Sequence, residues 1–325
     1  MSQFQVFVTR HLPVSFAQLQ TIASVEVWSE RQPPPPNVLH HKIQSIDGLL
    51  CLLTDPIDRS LIEAGTNLKV ISQMAVGYDN IDLAAATARG IPVGHTPDVL
   101  TDATADFAWA LLMAAARRVV EADRLTRAGQ WRTWEPDLLL GTEIAGATLG
   151  IVGLGRIGQA VARRARGFKM RILYSNPNRC SPELEKDLGI EFVEFDHLLQ
   201  SSDFITIHTP LTPATHHLFS DRQFAQMQPS AVLINTARGT IVDPKALYRA
   251  LANRHIAAAA IDVTDPEPIP AESPLLTLDN LIITPHIASA SRQTREKMAQ
   301  MAIANLIAGL QGDRLPHCIN PEIYS

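Results

Sequence analysis

Thr148-Leu-Gly-Ile-Val-Gly153-Leu-Gly155-Arg-Ile-Gly158-Gln-Ala-Val-Ala decides how this chain folds. An apolar run leads directly into a G-x-G-x-x-G turn, and the turn opens directly onto an alanine-rich helical stretch. A lone glycine pattern carries little, but between a strand and a helix it reads as the phosphate-binding turn of a βαβ unit. Gly153 permits the tight turn, Gly155 lets a pyrophosphate approach the backbone, and Gly158 lets the helix pack closely on the strand. The helix N-terminus adds free N–H groups and a partial positive charge, with Arg156 nearby.

The strand that follows ends in Tyr174-Ser175-Asn176-Pro177-Asn178-Arg179. A dinucleotide site that takes NAD usually has an acid about 20 residues beyond the turn, on the adenosine ribose. None stands here. Ser175, Asn176 and Arg179 can hydrogen-bond or pair with a 2′-phosphate that a carboxylate would repel. NADP(H) is therefore the expected preference, with NAD(H) still possible.

Working outward, short β-branched runs alternate with helical stretches. Candidate strands are 4–8, 48–53, 69–73 and 91–93, then 148–152, 171–174, 204–208, 231–234, 257–261 and 281–284. Several are apolar on both faces, as strands covered by helices on both sides are. The alternation implies βαβ units and parallel sheets. A long helical candidate over 101–126, stopped at Gly129, separates the two series, and another over 292–310 closes the chain. The reading is an α/β protein of two Rossmann-like or flavodoxin-like domains. Residues 1–99 with 289–325 form a discontinuous domain, residues 100–288 a dinucleotide-binding domain, and the two long helices the hinge. Pro33 to Pro36 is a stiff loop rather than a boundary.

Length and composition agree: 325 residues suit two domains, and 46% hydrophobic against 19% charged residues suits a large core. A net charge of −5 argues against a nucleic-acid partner. No apolar run nears the ~18 residues of a membrane span, and the first residues lack a signal-peptide pattern. Cys51, Cys180 and Cys318 are far apart and show no metal or redox spacing, so a cytoplasmic protein without a metal is expected.

Three segments past strand ends hold the candidate chemistry: Ile234-Asn-Thr-Ala-Arg238-Gly239, Asp262-Val-Thr-Asp265-Pro-Glu267-Pro268, and Thr284-Pro-His286-Ile-Ala-Ser289. Ligands of open α/β sheets sit outside the carboxyl ends of strands, so all three fall in one region. Arginine offers a planar fork to a carboxylate and an adjacent carbonyl. Histidine passes a proton near neutrality, and a carboxylate beside it orients the ring. Singly, Arg238 reads as a surface residue, Glu267 as a loop charge and His286 as a core histidine; behind a dinucleotide turn, together, they read as a site. His208 ends a strand and either edges the cofactor site or packs. His216 and His217 are adjacent, so they are expected to point apart.

Gly153-Leu-Gly-Arg-Ile-Gly158, His208-Thr-Pro-Leu-Thr-Pro213, Asn235-Thr-Ala-Arg-Gly239, Asp265-Pro-Glu-Pro268 and Pro285-His286 resemble, in order and over nearly the whole chain, the signatures of the D-2-hydroxyacid dehydrogenase family. Val76-Gly77-Tyr-Asp79, His95-Thr-Pro-Asp-Val-Leu-Thr-Asp102 and Gln130-Trp-Arg-Thr-Trp134 are most similar to its glyoxylate/hydroxypyruvate reductases. The resemblance implies a site in the cleft between the domains and hydride transfer between a nicotinamide and a small 2-keto or 2-hydroxy acid of D configuration. It implies that Arg238 holds the substrate carboxylate and carbonyl, that His286 exchanges the proton, and that Glu267 is its partner. Val76 and Gly77 would hold the carboxylate through backbone N–H groups, with Leu53 and Ser289 also at the substrate. Ile157, Thr209, Pro210, Thr236, Ala237 and Asp262 would join the cofactor set. Trp134 would reach into the partner subunit of a homodimer, although Trp131 and Trp134, three apart, equally suit one face of a helix.

Ser175-Asn176 departs from the Ser-Arg pair of many NADP-dependent relatives, and Tyr78 and Asn80 vary near the substrate loop, which leaves the preferred acid open. Glu267 argues against a formate dehydrogenase and the missing ribose acid against a D-lactate-type enzyme. A phosphoglycerate dehydrogenase stays open. So does a nucleotide-sensing protein like the C-terminal-binding corepressors, although no peptide-binding signature is visible.

Overall fold

The computed structural model describes residues 3–325. The chain divides into two compact units, Met1–Leu100 with Ala290–Ser325, and Thr101–Ser289.

The first unit is a five-stranded sheet of β1 (Phe4–Val8), β2 (Ala23–Val27), β3 (Gly48–Cys51), β4 (Val70–Gln73) and β5 (Val93–Gly94). Every pairing is parallel, in the order β2-β1-β3-β4-β5, the flavodoxin-like arrangement. β3 and β4 are buried at every position because helices cover both faces. The helix Arg292–Gln311 supplies one cover, packing on β3 and β4. Pro36 opens the helix Pro36–Ile43 at its first turn, where a missing N–H does no harm.

The second unit is a seven-stranded sheet of β6 (Thr148–Val152), β7 (Arg171–Ser175), β8 (Ile190–Phe192), β9 (Phe204–Ile207), β10 (Val232–Asn235), β11 (Ala258–Ile261) and β12 (Leu281–Ile283). All pairings are parallel, in the order β12-β11-β10-β9-β6-β7-β8. The order reverses between β6 and β9, and this switch point is where a doubly wound sheet opens a crevice. Alternate residues feed two cores: Ile151 and Tyr174 enter the one beneath the helix Arg156–Ala165, Val152 and Leu173 the one on the opposite face.

Two edge strands, β2 and β8, were not expected from the sequence. The long helix expected over 101–126 is in fact two, Thr101–Ala116 and Val119–Arg127. Thr142 N takes the Ala116 carbonyl at 2.8 Å, and Arg118 turns left-handed (φ 52°) to reach Glu121. The helix that follows does stop before Gly129, whose φ is +69°. Among the described residues no helix is long and apolar enough to cross a membrane, and no group of three or more His, Cys, Asp or Glu is placed to hold a metal ion.

Candidate active site

The carboxyl ends of the strands in the second unit carry the candidate residues in spatial order. From one side of the sheet to the other they are Thr284 and His286 past β12, Asp262 and Glu267 past β11, Arg238 past β10, His208 past β9, the glycine turn past β6, and Ser175 closing β7.

The glycine turn has the shape of a phosphate cradle. Gly153 takes φ +96°, and a Cβ there would meet Thr209 N at 2.6 Å and the His208 carbonyl carbon at 2.7 Å. A Cβ on Gly158 would meet the Gly153 carbonyl oxygen at 2.3 Å, so the helix sits directly on the turn. Around Gly155 there is open space, and Gly155 caps the helix Arg156–Ala165 without a side-chain hydrogen bond. Its first N–H groups are therefore available to an anion. At the end of β10 the Thr236 hydroxyl is buried and, among the described residues, has no hydrogen-bond partner. A buried orphan hydroxyl facing a polar ligand group is the kind of atom a bound cofactor satisfies. The residues present thus fit a dinucleotide. His208 approaches Thr206 Oγ1 at 2.8 Å through Nε2, and burial pushes its imidazole down to about 3, so it is neutral near pH 7.

At the adenosine end, Asn176 Oδ1 accepts from Leu154 N at 3.0 Å and ties the loop after β7 to the glycine turn. Arg179 is paired within the same helix-and-loop segment. Its Nε and Nη2 both donate to Glu185, at 2.8 Å each.

The three chemical residues stand on pinned loops. Asn235 is 1% exposed; its side chain donates to the Arg238 carbonyl at 2.9 Å and accepts from Ala237 N at 3.0 Å, which shapes the turn that presents Arg238. A Cβ on Gly239 would lie 1.9 Å from the Thr264 carbonyl oxygen, so only glycine lets the Arg238 loop pass this close to the loop bearing Glu267. His286 Nδ1 lies 2.6 Å from Glu267 Oε1. The pair expected from the sequence is therefore formed.

Asp262 is 1% exposed, and its carboxylate accepts from Thr284 Oγ1 at 2.6 Å, Ile287 N at 2.9 Å and Ala288 N at 2.7 Å. Its visible work is to hold the turn on which His286 sits with φ +55°. Asn235 and Thr284 were not singled out in the sequence. A polar residue at a strand end, two or three positions from a candidate group, was the available signal.

His216 and His217 do not point apart. His217 is left-handed (φ 51°), which brings the two rings into a stack at 4.0 Å, with His217 Nε2 3.8 Å from Asp265 Oδ2. Trp131 and Trp134 share no helix face; they lie in irregular chain, 60% and 78% exposed.

In the first unit, Leu53, Val76 and Gly77 lie on two loops joined by Gln73, which the sequence reading did not weigh, and by Asn80, which it read only as a varying position near the substrate loop. Gln73 and Asn80 exchange reciprocal amide hydrogen bonds at 2.8 and 2.9 Å. Gln73 Nε2 also donates to the Gly77 carbonyl at 2.6 Å, and Asn80 Nδ2 to the carbonyls of Leu52 and Asp55 at 3.2 and 2.8 Å. His95 Nδ1 lies 3.1 Å from the Val76 carbonyl. Ser289 closes the second unit, half-buried.

Residues 109–288 match the family model described as D-isomer specific 2-hydroxyacid dehydrogenase, NAD binding domain. A glyoxylate reductase of Korarchaeum cryptofilum is 50% identical over 98% of this chain and 96% of its own length. A solved protein of Thermus thermophilus is 45% identical with a TM-score of 0.90, over 97% of this chain and 99% of that one. An NADPH-dependent glyoxylate/hydroxypyruvate reductase of Sinorhizobium meliloti, solved with NADP and malonate, is 30% identical with a TM-score of 0.85, over 98% and 97%. A phosphate cradle, an Arg–Glu–His constellation on the same sheet edge, and similarity along the full chain converge: the protein belongs to the D-isomer specific 2-hydroxyacid dehydrogenases, oxidoreductases that use a nicotinamide cofactor.

Proposed function

We propose that this enzyme reduces glyoxylate and hydroxypyruvate, with NADP(H) preferred over NAD(H). The observation that carries the reading is the His286–Glu267 pair at 2.6 Å, on a loop that passes close to Gly239 of the Arg238 loop, in a chain similar end to end to glyoxylate reductases. A bound nicotinamide supplies the hydride. Arg238 would meet the substrate carboxylate and polarise the keto oxygen, with Ser289 of the same unit among the substrate residues. Glu267 occupies Nδ1 of His286, which leaves Nε2 to hand a proton to the oxygen as negative charge develops there.

The cofactor would lie along the strand ends, its pyrophosphate on Gly153, Gly155, Arg156, Ile157 and Gly158. His208, Thr209, Pro210, Thr236, Ala237 and Asp262 would flank the nicotinamide half. The preference for NADP(H) is supported by Ser175 and Asn176 standing where a ribose-binding acid would be. Residues 1–99 with 289–325 would serve as the substrate domain and 100–288 as the cofactor domain. Exposed Val119, Trp131, Trp134 and Leu140 support a homodimer in which Trp134 enters the partner's site. Three unpaired cysteines suit the cytoplasm.

Initial rates with glyoxylate and hydroxypyruvate, run in parallel with NADPH and NADH, test this. Turnover of both acids, faster with NADPH, is expected, and His286→Ala should abolish most of it. Preference for NADH would remove the cofactor reading and leave the reaction. Negligible turnover of either acid would remove the substrate reading.

A further inference from the structure

We propose that Glu185 sets how strongly the site distinguishes a 2′-phosphorylated adenosine ribose from an unphosphorylated one, by holding the guanidinium of Arg179. This rests on the reading that Arg179 faces that ribose.

The loop between β7 and the helix Pro182–Leu188 is tied at both ends. Asn176 Oδ1 binds Leu154 N of the glycine turn at 3.0 Å, and the Tyr174 hydroxyl accepts from Cys180 N at 3.0 Å. Arg179 stands between these ties along the chain, three residues beyond the one that binds the phosphate turn. Its side chain is 62% exposed, yet two of its donor nitrogens are committed to Glu185 at 2.8 Å each. Its guanidinium also lies 5.8 Å above the Phe192 ring.

Glu185 is only 11% exposed and accepts a further hydrogen bond from the Tyr174 hydroxyl at 2.7 Å. Arg179 first, then Tyr174, hold its carboxyl down to about 2, and Glu185 in turn raises the Arg179 guanidinium above its ordinary value. The pair is therefore fully ionised at any working pH, with no net charge.

The consequence for a phosphate is direct. NAD enzymes commonly place a carboxylate at the strand end, where it excludes a 2′-phosphate. Here that carboxylate comes from the next helix and acts through the arginine. A bidentate pair uses the side of the fork that matches a phosphate, and its negative partner weakens the local field. What remains for the ligand is the outer Nη edge of Arg179. The site then recognises a 2′-phosphate through Arg179 while Glu185 restrains the gain, making Glu185 a specificity-positioning residue.

The test uses the cofactor-free full-length protein and two probes that differ only in the 2′-phosphate, adenosine 2′,5′-bisphosphate and adenosine 5′-monophosphate. Calorimetric titration gives the ratio of their dissociation constants for the parent, Glu185→Gln, Arg179→Ala and the double variant. Gln keeps an acceptor for Tyr174, and the monophosphate affinity reports loop integrity, since a collapsed loop weakens both probes. Glu185→Gln should raise the ratio in favour of the bisphosphate about five- to tenfold, the size of one charge-assisted contact at a largely exposed position. The gain should shrink at 0.5 M salt and vanish in the Arg179→Ala background. A ratio lowered by Arg179→Ala but untouched by Glu185→Gln overturns the role of Glu185 alone. A ratio untouched by Arg179→Ala overturns the placement of Arg179 at the ribose, and the proposal with it.

Discussion

Replacing Asp262 by Asn probes whether one buried carboxylate positions the proton-transfer residue. The carboxylate serves three donors, Thr284 Oγ1 at 2.6 Å, Ile287 N at 2.9 Å and Ala288 N at 2.7 Å. An amide has one oxygen where the acid has two, so a donor must be turned toward a donor. Facing Ala288, which is 6% exposed, the NH2 would strand a buried N–H. Facing Thr284 and Ile287 is milder, because the hydroxyl can rotate to accept and Ile287, 37% exposed, can reach water. Losing the charge on the surviving bonds and one donor's partner costs about 2–3 kcal/mol. For a unit of this size that is a fall in melting temperature of roughly 4–12 °C. The turn also carries His286, and displacement of a reacting group by about 1 Å lowers turnover roughly 100-fold. Calorimetric unfolding and kcat for glyoxylate reduction would be measured on the same preparation. Parental stability together with parental kcat in the Asn variant would refute the assignment of Asp262 as the anchor of the His286 turn.

Gly239→Ala should destabilise the second unit by about 2–4 kcal/mol in urea unfolding and lower kcat, since the new methyl would sit 1.9 Å from the Thr264 carbonyl oxygen and push the Arg238 and Glu267 loops apart. A silent variant would mean that the two loops are free to separate. His208 is held near 3 by burial against about 6.5 in the unfolded chain, so its contribution to stability is complete above pH 6.5 and lost as pH falls toward 3. The slope should approach ~1.4 kcal/mol per pH unit in that window, and His208→Gln should flatten the stability–pH curve measured by urea unfolding. Substituting Ser for both Trp131 and Trp134, which are 60% and 78% exposed, should weaken self-association in sedimentation velocity; an unchanged sedimentation coefficient would argue against their place in a dimer interface.

What could be read from the sequence follows from where the physics is local. Interior parallel strands such as β6 and β10 are buried on nearly every residue, and that leaves continuous apolar runs that no loop imitates. The edge strands do not. β2 reads Ala-Ser-Val-Glu-Val with only Ala23 buried, and β8 has three residues, Ile-Glu-Phe, so neither forms a run distinguishable from a loop. The break at Arg118 was hidden for a related reason. Ala116, Arg117 and Arg118 all favour helix locally, and it is Thr142, 26 positions along, that claims the Ala116 carbonyl.

The same division runs through the site. Arg238, Glu267 and His286 declare themselves by chemical type, since few structural tasks at strand ends call for that trio. The residues that aim them do not, because asparagine, aspartate and threonine at a strand end are ordinary turn formers. Asn235 under Arg238, Asp262 under His286 and the Gln73–Asn80 pair under Gly77 each convert a flexible loop into a fixed one through bonds of 2.6–3.2 Å. Such bonds depend on tertiary partners, so the sequence shows the donors and acceptors without showing who meets whom. The reactive groups are legible as types; the precision with which they are held comes from a second set of polar side chains, and variation in that set would alter turnover while leaving every signature motif in place.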